Sequence, residues 1–179
     1  FRIAMLLGGA NYVYDGPLKI NDEAFDILRR DLGELGLGVK TGLDVPYEEL
    51  GVHRDRNRTG GFLLDASIGQ YDTYTNIQLA QYAATLANGG KRIKPHLLLD
   101  SYTTDSDGIA NAFNQIKQGM RACVTRSNGT SNKYWSSKPY VTYAKTGTAE
   151  DYTGTGKTDY PNHLQIGYIQ ADENSEPIV

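Results

Sequence analysis

The chain has 179 residues, enough for one ordinary domain with a sizeable core, and a formal net charge of -3. That balance excludes the clustered basic footprint of a nucleic-acid binder, and no apolar run approaches the roughly 20 residues of a membrane-spanning helix. The lone Cys123 excludes an internal disulfide framework, and His53, His96 and His163 lack the spacing of a helical metal pair.

The opening FRIAMLLGG has neither a polar lead-in nor a signal-peptide pattern, and is expected to be a segment entered midway through a longer protein. From Asn21 to Leu35, a possible cap, two acidic residues and Phe25, Leu28, Leu32 and Leu35 at helical spacing predict an amphipathic helix closed by Gly36 and Gly38. GVKTGLDVPYEELGVHRDRNRTGG then reads as a long surface loop with at most short strands. Thr75-Asn76-Ile77-Gln78 matches a capping box. The helix it opens, NIQLAQYAATLAN, is apolar on most sides through Ile77, Leu79, Ala80, Ala83, Ala84, Leu86 and Ala87, and ends on Gly89-Gly90.

RIKPHLLLD is expected to form a short strand and SYTTDSDG a polar turn. Phe113, Ile116, Met120 and Val124 mark a second amphipathic helix, which ends in RSNGTSN. Cys123 lies on its apolar side and reads as a buried core thiol. YVTYAKTGTA and HLQIGYIQA have the alternation and β-branched content of strands, so the polar DYTGTGKTDYPN between them predicts an antiparallel hairpin with a long loop. A further apolar strand begins at ENSEPIV. The order of elements predicts an α+β fold, an antiparallel sheet packed with helices.

Two motifs compete for attention in the last third. GTGKT invites a phosphate-loop reading, but the Walker pattern needs glycine where Asp151 stands and a helix where a strand follows. Lys-Thr-Gly occurs twice, at 40–42 and 145–147. The first copy sits among glycines before Pro46 and reads as loop with a solvated lysine. The second lies on a strand beside Thr148 and Ala149, where small residues admit an extended peptide and Lys145 with two threonine hydroxyls can hold a terminal carboxylate.

AKTGTAE in its strand resembles the third signature motif of the penicillin-binding transpeptidases and serine β-lactamases. Three more stretches, GLGVKTGLDVPYEELG, SIGQYDTYTNIQLAQYAATLANGGKRIKPHLL and GMRACVTRSNGTSNKYW, make the whole chain similar to the C-terminal part of a class B penicillin-binding protein transpeptidase domain. The family's Ser-x-x-Lys and Ser-x-Asn motifs are not found here, and Tyr74-Thr75-Asn76 is read as a helix cap, so residues 1–179 are expected to be the later portion of one such domain with the nucleophile upstream of Phe1.

The resemblance implies a peptidoglycan D,D-transpeptidase that acts on stem peptides ending in D-Ala-D-Ala and is acylated by β-lactams, with no cofactor. Lys145, Thr146, Gly147 and Thr148 would be its catalytic residues within this chain, with Lys145, Thr146 and Thr148 binding substrate. Partners implied are the stem peptide, β-lactam antibiotics, the remainder of the same domain and the cell-wall synthesis machinery, and no nucleic acid. The implied place is the extracytoplasmic face of a bacterial membrane, anchored by a segment outside this chain, which alone would be inactive. A non-catalytic penicillin-binding receptor or scaffold is the alternative. The Asn57-Arg58-Thr59 and Asn128-Gly129-Thr130 triplets read as chance matches to a glycosylation pattern.

Overall fold

The computed structural model describes residues 6, 9, 18–54, 58–97, 110–149, 152–153, 156–157 and 161–179. Apart from Leu6 and Gly9, the opening FRIAMLLGG lies outside the described residues, as do SYTTDSDG and Glu150. Two compact units emerge, Phe1–Leu79 with Pro95–Leu99, and Ala80–Lys94 with Asp100–Val179.

In the first unit, helix α1 (Ala24–Glu34) buries Phe25 and presents Leu28 to the same core. It starts later than the capping reading of Asn21: the Asn21 carbonyl accepts from the Ala24 N–H in a preceding turn, and Glu23 holds the N-cap position without a side-chain bond. Only Asp26 is left as an acid in the first turn. The C-terminus ends as expected, with Gly36 and Gly38 at φ 93° and 74°, and the Leu37 N–H returning to the Leu32 carbonyl at 3.0 Å.

Helix α2 (Gly60–Ser67) has no counterpart in the sequence reading. Two leading glycines weaken its intrinsic signal by about 1 kcal/mol each, but Thr59 accepts from the Phe62 N–H and Leu63 is fully buried. Gly60 suits this place because a Cβ there would lie 2.3 Å from the Leu18 carbonyl oxygen. The core joins Ala24, Phe25, Leu63 and Tyr71, whose ring lies 5.4 Å from Phe25 and 5.1 Å from Phe62. Beside it Arg29 grips Asp72 with two bonds of 2.8 and 2.9 Å, and its guanidinium lies over the Phe25 ring. The loop between α1 and α2 contains an isolated bridge, Val52 to Thr73, and no helix or longer strand among the described residues.

Helix α3 (Asn76–Ala87) opens with the predicted box: the Thr75 N–H donates to Gln78 Oε1 at 3.0 Å, and Thr75 Oγ1 accepts from the Gln78 N–H. Gln78 is 1% exposed because its amide also serves the carbonyls of Val39 and Leu50. The helix therefore buries a more polar face than its alanines imply.

In the second unit, Gln81 and Thr85 of α3 are buried beside Ala83 and Leu86, while Ala80 is exposed. Gln81 donates to the Ile93 carbonyl at 2.9 Å and accepts from Arg92. RIKPHLLLD forms no strand through Leu97; Ile93 makes only an isolated bridge, its carbonyl is taken by Gln81, and Pro95 lacks a donor. Helix α4 (Ala110–Thr125) buries Phe113, Met120 and Val124 and leaves Ile116 40% exposed, and the short α5 (Asn132–Trp135) follows.

Strands β1 (Val141–Ala149) and β4 (Asn162–Gln170) form the predicted antiparallel hairpin, in register from Val141 opposite Gln170 to Ala149 opposite Asn162. Between them β2 (Tyr152–Thr153) and β3 (Gly156–Lys157) make a small hairpin. Tyr143 and Tyr168 stack at 4.5 Å, Arg121 of α4 donates to the Thr142 carbonyl, and Lys117 lies over the Tyr143 ring. The final segment adds a bridge from Ile178 to Ile169, where a further strand was expected to begin. Helices packed on an antiparallel sheet are the architecture the sequence predicts.

Truncating Phe25, which has no exposed surface, is expected to cost about 3–5 kcal/mol. Urea unfolding of Phe25→Ala measures it, and a loss below about 1 kcal/mol would place the core of the first unit elsewhere.

Candidate functional site

Strand β1 changes character along its length. Thr142, Tyr143 and Ala144 are buried, whereas Lys145, Gly147 and Thr148 are exposed and Thr146 is half-buried. The register sets Lys145 opposite Ile166, Thr146 opposite Gln165, Gly147 opposite Leu164 and Thr148 opposite His163. Lys145 Nζ donates to the Thr146 carbonyl at 2.6 Å. Thr148 Oγ1 lies 3.3 Å from His163 Nδ1. A Cβ on Gly147 would meet only ordinary contacts, Leu164 Cβ and carbonyl oxygen at 3.9 Å, so packing within the chain does not demand glycine there.

The turn after α4 brings in a residue that the sequence reading passed over. Thr130 Oγ1 lies 2.6 Å from Thr146 Oγ1 and 3.0 Å from Cys123 Sγ. Cys123, expected to be a core thiol, is half-buried and faces Thr130 and Ser131, because the turn folds hydroxyls over the helix flank where apolar neighbours were anticipated. Burial pushes its pKa up, but hydrogen bonding with the Thr130 and Ser131 hydroxyls and with the backbone of Ser131 and Thr146 outweighs it and holds the thiol below its ordinary value.

GTGKT and two tyrosines before α3 take other roles. Gly156 and Lys157 of GTGKT pair in β3 with Thr153 and Tyr152, which is a hairpin and not a phosphate loop before a helix. Tyr71 packs in the core of the first unit. Burial, with the charge of Asp72, pushes the Tyr74 phenol up to about 12, so it stays protonated at neutral pH.

Residues 21–179 match the penicillin-binding protein transpeptidase domain. The chain belongs to that family. Penicillin-binding protein 2A of Bacillus subtilis is 36% identical over 196 residues, covering 96% of this chain and 27% of the relative. The peptidoglycan D,D-transpeptidase MrdA of Escherichia coli is 30% identical over 168 residues, covering 79% of this chain and 26% of its own length. The solved penicillin-binding protein 2B of Streptococcus pneumoniae superposes with a TM-score of 0.77 at 25% identity, over 97% of this chain and 31% of that one. The chain thus spans about a quarter of the length of these curated relatives.

Within this transpeptidase-family chain the two Lys-Thr-Gly copies have opposite surroundings. Around the first, the Glu48 carboxylate accepts from the Thr41 N–H and hydroxyl and the Gly42 N–H at 2.9, 2.6 and 3.0 Å, so Thr41 is buried and Gly42 turns at φ 82°. Lys40 is exposed on this loop, as its sequence setting predicts. The second copy has no such acid gripping its threonine among the described contacts; Thr146 meets a neutral hydroxyl. Neither Thr130 nor His163 carries a local signal: a turn threonine and an isolated histidine become neighbours of the strand only once the turn and register are known.

Burial works against ionisation of Glu48, but the Thr41 and Gly42 bonds and the charge of Lys40 lower its pKa. A lowered folded value means its stabilisation is complete above the unfolded value and is lost as pH falls through the folded one. The stability difference between wild type and Glu48→Gln should therefore be flat above about pH 5 and shrink below about pH 4, read from urea unfolding across that range. A difference independent of pH would show that the carboxylate charge does not hold the turn.

Proposed function

We propose that the complete protein is a peptidoglycan D,D-transpeptidase and a target of β-lactams, and that this chain supplies the Lys145 to Thr148 wall of its active site. The observation that carries the reading is a family match over residues 21–179 that includes a strand whose Lys145, Gly147 and Thr148 are exposed beyond its buried Thr142, Tyr143 and Ala144. Among the described residues β1 pairs only with β4, and a strand with one partner suits the addition of an extended peptide along its other edge.

In this reading a serine from a Ser-x-x-Lys motif outside the chain attacks the carbonyl carbon of the penultimate D-Ala. The peptide C–N bond breaks, and the terminal D-Ala leaves as an amine that takes up a proton. An amine of a neighbouring stem peptide then attacks the acyl ester, and the serine oxygen leaves with its proton restored. Lys145 supplies positive charge that draws in the terminal carboxylate and favours proton transfer. Thr146 and Thr148 donate hydroxyls to that carboxylate, and the Thr148 backbone N–H serves as an oxyanion donor, a group whose loss typically costs about 2.7–4 kcal/mol. Gly147, which packing alone does not require, keeps the strand open to the acyl chain. A β-lactam follows the first step, but its leaving amine stays tethered and the ester persists.

The partners proposed are the stem peptide, β-lactams, the cell-wall synthesis machinery and the remainder of the transpeptidase domain. Thr142 Oγ1, the Tyr168 hydroxyl and Gln170 Oε1 support the last, being buried without a hydrogen-bond partner among the described residues. Such groups call for one. The substrate class places the enzyme on the extracytoplasmic face of a bacterial membrane, held by a segment outside this chain.

Intact-mass spectrometry with peptide mapping after incubating the full-length gene product with penicillin tests the reading. One adduct on a serine of a Ser-x-x-Lys motif is the expected result; a folded protein without adduct would favour the receptor. Lys145→Ala should slow acylation at least about a hundredfold while the protein stays folded, and Lys40→Ala should leave the rate unchanged. An undiminished rate in Lys145→Ala would remove the strand from the active site.

A further inference from the structure

The turn that closes α4 is built to fix one hydroxyl against the site strand. The Ser131 N–H donates to the Cys123 carbonyl at 3.1 Å, Asn132 Nδ2 to the Val124 carbonyl at 2.8 Å, and the Gly129 N–H to the Arg126 carbonyl at 2.8 Å. Gly129 sits so close to the helix that a Cβ there would lie 2.2 Å from the Cys123 carbonyl oxygen. Thr130 is thereby held between Cys123 Sγ at 3.0 Å and Thr146 Oγ1 at 2.6 Å.

A threonine hydroxyl has one hydrogen and two lone pairs, so Thr130 can donate to only one of these neighbours. The 2.6 Å separation is at the short end for O–H···O, and a hydroxyl oxygen is a better acceptor than a neutral thiol. A carboxylate, in turn, only accepts. If Thr146 spent its hydrogen on Thr130, it would present lone pairs to the anion and repel it.

Resting on the function proposed above, we infer that Thr130 is a positioning residue for carboxylate recognition. Its hydroxyl donates to Thr146 Oγ1, which leaves the Thr146 hydrogen to point at the ligand carboxylate. Cys123 Sγ, 3.0 Å behind Thr130, is the weaker acceptor and does not compete with Thr146 Oγ1 for its hydrogen. Thr130 acts through Thr146, whose rotamer and polarity it sets.

The test compares acylation of the full-length gene product by benzylpenicillin, which carries the carboxylate, with acylation by its methyl ester, which does not. In Thr130→Val the preference for the acid over the ester should fall about tenfold, the size expected for one mis-set hydrogen bond to a charged group, and Thr130→Ser should restore it to within about twofold. Thr130→Ala substitutes for the valine variant if that does not fold. Equal losses for acid and ester would assign Thr130 a merely structural role and overturn the inference, as would an unchanged preference; both leave the proposed function standing. A wild-type protein that is not acylated at all would overturn that function, and this inference with it.

Discussion

The second unit depends on how closely β1 and β4 can approach. Gly167 faces Ala144 across the ladder, and a Cβ on it would stand 2.2 Å from the Tyr143 carbonyl oxygen. Its bare Cα allows the ladder to continue through its middle, with Tyr143 and Tyr168 stacked beside it. Because side chains alternate across a strand, a slip of one residue would turn Lys145 and Thr146 to opposite faces. The glycine and the tyrosine stack hold the register, and the register determines where every candidate side chain stands. The approach of α4, through Arg121 to the Thr142 carbonyl and Lys117 over Tyr143, then brings the turn with Thr130 against the strand.

In the first unit buried polar groups do comparable organising work. Gln78 closes the α3 capping box with one end of its amide and ties the Val39 and Leu50 carbonyls with the other, so a helix start and a long loop share one side chain. Arg29 and Asp72 act similarly, with Asp72 also accepting from the Arg54 N–H at 3.2 Å. An unmet polar group costs far more inside a protein than at its surface, so pairs of this kind fix the path of segments that have no regular structure.

The two Lys-Thr-Gly copies show how little a tripeptide means alone. Thr41 spends its N–H and hydroxyl on Glu48, within a turn that needs glycine at positive φ. Thr146 lies on a strand where glycine follows without being required by packing, and its hydroxyl meets another hydroxyl. Chemistry identical on paper thus becomes a closed structural turn in one place and, in the function proposed, an open binding surface in the other.

Much of the architecture was legible in the sequence because its causes are local. Helical spacing of Phe25, Leu28 and Leu32, the Thr75 to Gln78 box, the glycine stops and the β-branched and aromatic content of β1 and β4 each act within a few residues, and the elements they predict reappear in the structure. The family resemblance was legible for the same reason, since its motifs are short and ordered along the chain. What the sequence left undecided rests on distant partners. Helix α2 forms against its glycines because Leu63 finds a core; Arg92 to Leu97 form no strand because Gln81 claims the Ile93 carbonyl; Cys123 leaves the core because a turn lays Thr130 and Ser131 beside it. Propensity and pattern are properties of neighbouring residues, whereas burial and hydrogen-bond competition depend on groups that only tertiary folding brings together.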